Sequence, residues 1–105
     1  MSKNIIGTLE ATKPFIMYKD INEELFKAIQ KFPTWPTDPI HAASVVMEEA
    51  GELVKEVNQL TYEPHKSSHE SVRKEALQLA AMSFRFLLSL EKYEYIPGEQ
   101  HEQNI

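Results

Sequence analysis

The chain has 105 residues, one domain's worth, and its 42% hydrophobic content is too high for a disordered polymer. A formal net charge of −5 argues against a nucleic-acid binder that works by broad phosphate neutralisation, although an acidic protein can hold a polyanion through an intervening divalent cation. Cysteine is absent, which removes disulfides, thiolate zinc sites and cysteine nucleophiles, and no apolar stretch approaches the ~20 residues needed to span a bilayer. The first residues, MSKNIIGTLEATK, lack the apolar run of a signal peptide, so the expectation is a cytoplasmic protein without a membrane partner.

Residues 1–19 give no clear element. Ile5 and Ile6 suit a short strand or packing on the body, and Pro14 interrupts any helix there. A first helix is expected from Ile21 to Phe32, with Asp20 as N-cap and Glu23 completing a capping-box-like pair. Its apolar residues Ile21, Leu25, Ala28, Ile29 and Phe32 recur at helical spacing. The stiff segment from Pro33 to Pro39 ends this helix and announces the next, with Asp38 as N-cap and Pro39 at the first helical position.

The second helix is expected over Pro39–Thr61. Val46, Ala50, Leu53, Val57 and Leu60 form one narrow stripe, and Val45, Glu49, Glu52 and Glu56 a second beside it. A polar loop over Glu63–Ser68 follows. Ser67 and Glu70 then make a capping box for a third helix running from Ser68 to Tyr93, and a polar tail covers 97–105. The third helix is apolar on two sides: Leu77, Ala80, Ala81, Phe84 and Leu88 on one, Leu79, Phe86 and Leu90 on the other. Between them runs a narrower stripe of Glu75, Gln78, Met82, Arg85 and Ser89. Burial on two sides predicts an all-α bundle completed by homo-oligomerisation, as a dimer or tetramer packed through this helix.

Chemistry concentrates in Glu48-Glu49-Ala50-Gly51-Glu52 of the second helix. Glu49 and Glu52 are three apart and share a face, where like charges weaken a helix unless something offsets them. A hard divalent cation does so, since carboxylate oxygens are its preferred ligands. Gly51 leaves a bare patch beside them. The competing reading is ordinary: such a pattern is common on exposed helices, and Lys55 is placed to pair with Glu48, Glu52 or Glu56. Glu75 and Gln78 repeat the three-residue spacing on the third helix, and two antiparallel helices each offering an oxygen pair to one groove make a bundle-type metal site. Arg85 lies two turns further along, either as a phosphate arm or as a salt-bridge partner of Glu49 or Glu56. Trp35 and Phe32 suit base stacking or plugging of the bundle end, the latter favoured for Phe32. Asn58 suits a hydrogen bond to a base or sugar, or water. Tyr62 and Tyr93 suit core packing or a pocket rim. His41, His65, His69 and His101 show no zinc-type spacing and read as surface or capping residues.

Glu-Glu-x-x-Glu on one helix and Lys74-Glu75-Ala76-Leu77-Gln78 on the next resemble the signature of the MazG-like and dimeric dUTPase-like all-α nucleoside triphosphate pyrophosphohydrolases. The resemblance spans about Ile21 to Leu90, and the string from Trp35 to Ala43 is similar to a phage-encoded branch. It implies one MazG-like helical domain over 1–105 that hydrolyses a (deoxy)nucleoside triphosphate between the α and β phosphates in nucleotide-pool control. dGTP is one candidate substrate, and the location is the host cytoplasm for a phage protein. It further implies Glu49, Glu52, Glu75 and Gln78 as ligands of Mg²⁺, or of Mn²⁺, with Glu48 as the base that activates water or a group behind the ligands. Trp35, Lys55, Asn58 and Arg85 are the residues assigned to substrate. One position departs from the family: its last acid is Asp, and Gln78 brings an oxygen without charge. The alternative is therefore a weak or inactive relative that binds nucleotide or metal in a regulatory or sequestering role.

Overall fold

A computed structural model describes residues 2–96, with side chains described from residue 12 onward. Three α-helices appear in order: α1 (Ser2–Lys31), α2 (Pro39–Tyr62) and α3 (His69–Leu88). Short 3₁₀ turns follow α2 at Pro64–Lys66 and α3 at Leu90–Lys92, and no strand occurs among the described residues. None of the described helices is long and apolar enough to cross a membrane. The polar tail expected over 97–105, with His101, lies outside the described residues.

α1 departs most from expectation. It starts at Ser2, carries Ile5 and Ile6 as helical residues, and runs through Pro14. Proline in a helix interior costs about 3 kcal/mol, a penalty and not a prohibition, and good helix formers on both sides carry the helix across it. Asp20 is therefore no cap. It lies inside the helix and pairs with Arg73 of α3.

α2 begins where its cap chemistry dictates. The Asp38 carboxylate accepts the Ile40 N–H at 2.9 Å, and Pro39 occupies the first turn. Ala42 is fully buried, and Val45, Val46, Glu49, Leu53 and Leu60 are half-buried, so this side faces the body. Val57, although within the expected stripe, is exposed.

The cap of α3 is Ser68, one residue later than the capping box predicts: its hydroxyl accepts the Ser71 N–H at 3.0 Å. Ser67 instead donates to Glu56 Oε2 at 2.7 Å and ties the loop to α2. α3 also stops at Leu88, short of Tyr93. There the chain turns so that Tyr93 packs on Phe86, with ring centroids 4.9 Å apart, and its hydroxyl donates to the Phe86 carbonyl at 3.0 Å. A buried aromatic contact and a satisfied helix-end carbonyl outweigh one further turn of helix.

α3 is the middle helix. It packs against both α2 and α1, whose backbones come no closer to each other than 8 Å between Cα atoms among the described residues. Its two apolar sides are thus half-buried within one chain, and Leu88 and Leu90 at their C-terminal end stay exposed. Asp20–Arg73 near one end, and Arg85 against the end of α1 at the other, set α1 and α3 parallel. The core is small: Leu25, Ala81 and Met82, with Ile21, Ala28, Trp35, Val45, Val46 and Phe84 packed around them.

Candidate functional site

Glu49 faces α3 from the middle of α2, and Glu75 is half-buried on α3. Burial pushes the Glu49 carboxyl above the usual carboxylate range, and the charges of Glu75, Glu52 and Glu48, in that order, push it further. The four carboxylates therefore share one electrostatic field. Glu48 and Glu52 are exposed at its rim.

Gln78, one turn beyond Glu75, lines a cavity of about 490 Å³ together with Glu49. Ala81 and Met82 of α3 form its floor, and α1 closes it with Glu24, Lys27, Ala28, Lys31 and Phe32, while Lys74 stands beside Gln78. Oxygen donors from two antiparallel helices do reach a common space. From these two helices one carboxylate, Glu49, and one amide oxygen, Gln78, line it, donors that suit a hard cation, and the charge of Glu75 acts on Glu49 from outside the lining. Among the described residues no three His, Asp or Glu side chains converge closely enough to hold an ion by themselves.

Four residues assigned to substrate are placed elsewhere. Arg85 is 6% exposed and takes neither expected role. Its Nη2 donates to the carbonyls of Phe32 at 2.5 Å and Thr34 at 3.3 Å, and its Nη1 to that of Ala28 at 3.5 Å. It thus caps the last turn of α1, where orphaned carbonyls attract a cation. Burial lowers its pKa from the ordinary value, yet a guanidinium remains charged. Trp35 lies against it, with the guanidinium carbon 4.9 Å from the ring centroid, and donates its indole N–H to the Tyr93 hydroxyl at 2.8 Å. Of the two roles left open for it, base stacking and plugging of the bundle end, the indole is engaged in the fold. Asn58 is exposed and, nine residues from Glu49, lies on the opposite side of α2 at ~100° per residue. Lys55 is exposed on the outer part of the same helix.

The roles of the two aromatics reverse. Phe32, expected to plug the bundle, is 61% exposed and lines the cavity that holds Glu49 and Gln78. Tyr93 is buried, whereas Tyr62 is 80% exposed. A Cβ at Gly51 would meet nothing within 4 Å, so the bare patch faces open space.

Lys27, Lys31 and Lys74 escape the sequence reading. A signal was present: Lys27 and Lys31 are four apart on one helix face, the same like-charge argument that singles out Glu49 and Glu52. No family model matches the chain, and no curated protein or solved structure matches it significantly.

Proposed function

We propose that this chain hydrolyses a (deoxy)nucleoside triphosphate to the monophosphate and pyrophosphate, in cytoplasmic nucleotide-pool control of the kind a phage-type MazG-like enzyme performs. The observation that carries this reading is the meeting of Glu49, Gln78 and the charge of Glu75 at one cavity large enough for part of a nucleotide. The resemblance of the two glutamate motifs supports it.

In this reading Glu49, Glu75 and Gln78 hold Mg²⁺ or Mn²⁺, with Glu52 joining from the rim. The bound ion neutralises the triphosphate and stabilises charge at the reacting phosphorus. Glu48, exposed beside Glu49, takes the proton from the water that cleaves the α–β bond. Phe32, exposed on the cavity wall, offers its open ring to the base. The working unit is a homo-oligomer: among the described residues no large side chain is fully buried within one chain, and Ile40, Met47, Leu87 and Leu88 stand 58–77% exposed.

The test is incubation of the protein with each (d)NTP and Mg²⁺, followed by separation of monophosphate and pyrophosphate. Turnover that falls at least about 100-fold in Glu49→Ala and Glu75→Ala is the expected result, the size typical of a lost electrostatic group at a reacting centre. Absence of turnover with every triphosphate overturns the hydrolase. A second reading, binding without turnover, draws on the neutral Gln78 and on the lack of three converging acids among the described residues. Saturable nucleotide binding without products would favour it.

A further inference from the structure

The same cavity has a basic wall. Lys27 and Lys31 of α1 line it one turn apart, and Lys74 of α3 lines it beside Gln78. In a chain of net charge −5 with 11 Lys and Arg, three lysines border this one cavity against two lining carboxylates, Glu24 and Glu49, a local balance of 3 − 2 = +1. Among the lining side chains alone lysines outnumber carboxylates, with Glu75, Glu52 and Glu48 acting on Glu49 from outside the lining. Two lysines four apart on one helix repel and weaken it, a cost that an anion held between them would offset.

The two lysines of α1 have neighbours of their own. Lys27 pairs with Glu24 at 3.7 Å, and Glu24 is the better buried of the two, so it positions an ammonium that stays largely open to solvent. Lys31 lies over the Phe32 ring, 5.5 Å from its centroid, so one face of that ring carries a cation. The α1 wall runs from Glu24 to Phe32, about 12 Å at ~1.5 Å per residue. Lys27 stands near one end of this wall, and Lys31 with the Phe32 ring at the other, so a phosphate chain and a stacked base would share the Lys31 end.

We propose that Lys27, Lys31 and Lys74 form a phosphate subsite that grips the polyphosphate tail of the nucleotide directly, without an intervening metal ion. This rests on the nucleotide reading of the cavity. It adds α1 to the site as the wall that binds phosphate, with α2 and α3 as the walls that bind metal. An ammonium acts on phosphate as a point charge and needs no fixed geometry, which suits exposed side chains on two helices.

The experiment is calorimetric titration of the full chain with inorganic triphosphate in excess EDTA. It compares wild type, the Lys27→Ala/Lys74→Ala double variant and the Lys27→Arg/Lys74→Arg pair, with circular dichroism to show that each is folded. Wild type is expected to bind saturably and more weakly as salt rises. The alanine pair should bind at least about tenfold more weakly, while the arginine pair stays within about threefold of wild type because the charge is kept. No saturable binding by wild type, an alanine pair indistinguishable from it, or sulfate bound as tightly as triphosphate would each overturn the subsite. The two readings fail separately. Nucleotide turnover together with unaltered triphosphate binding by the alanine pair removes the lysine wall and leaves the hydrolase. Lysine-dependent triphosphate binding with no (d)NTP hydrolysed in Mg²⁺ removes the hydrolase and leaves the wall.

Discussion

Arg85 and Glu49 carry the energetic weight at the scale of single residues. Arg85 is a buried cation whose donors are spent on main-chain carbonyls at the end of α1, so its loss uncaps that helix and strips Trp35 of its neighbour. Arg85→Ala is expected to cost about 3 kcal/mol in denaturant unfolding, from broken charged hydrogen bonds and a cavity. Arg85→Lys should recover less than half, because a point charge cannot span carbonyls that the planar fork reaches together. A phosphate arm would behave differently, weakening nucleotide binding at unchanged stability. Glu49 is strained in the opposite sense. Its folded pKa is raised, so the fold favours the protonated form. The stabilisation is complete below the ordinary carboxylate pKa and is lost as pH rises through the raised folded value. In EDTA, Glu49→Gln should flatten this pH dependence and stabilise the protein at neutral pH by on the order of 0.5 kcal/mol, the scale of a relieved like-charge helix pair. Added Mg²⁺ should raise the melting temperature of wild type and not of the variant. A variant that melts lower in EDTA at neutral pH would show that Glu49 is not repelled in the fold.

Local chemistry sets the helix boundaries where it acts alone and yields where tertiary contacts compete. Asp38 and Pro39 start α2 where the sequence places its start, because a cap acts through hydrogen bonds to residues next to it in the chain. Two adjacent serines precede α3, and sequence spacing favours Ser67 through its partner Glu70. The structure uses Ser68, since Ser67 has a long-range acceptor in Glu56. Ser68→Ala should therefore cost about 1 kcal/mol in helix-capping energy, with reduced far-ultraviolet ellipticity at the transition edge. Ser67→Ala should release the loop from α2 without fraying α3; equal loss of helix in both variants would contradict this division. Pro14 marks the other failure. Reading it as a stop treats a finite penalty as absolute and conceals the first half of α1.

Across the whole molecule the burial is thin for a folded domain. Phe15, Ile16, Met17 and Tyr18 are all exposed on α1, and Ile40, Ala43, Met47, Phe86 and Leu87 join in an apolar strip along α2 and α3. Such a strip fits a second copy of the chain. Sedimentation should give a dimer or tetramer, and Leu87→Asp or Met47→Asp should shift it to monomer while helix content is retained at low temperature. A wild-type monomer at micromolar concentration would remove the proposed assembly. The proposed assembly rests on other grounds than the two-sided pattern of α3: its sides are half-buried by its own chain, and the exposed apolar surface lies at its C-terminal end and along α2.

By itself the sequence determined what short-range forces determine: an all-helical chain, the position of α2, and a glutamate face on each of two successive helices. The common cavity of Glu49 and Gln78 follows from the antiparallel packing of those faces and was legible for that reason. Only the tertiary structure decided which partners long, charged or aromatic side chains take. Arg85 turns to the end of α1, Trp35 to Tyr93, and Phe32 with the lysines into the cavity. Periodicity reports the side of a helix on which a residue stands. It does not report which neighbouring helix stands opposite, and for Arg85 that neighbour is α1, whose parallel docking on α3 rests on contacts more than fifty residues apart in the chain.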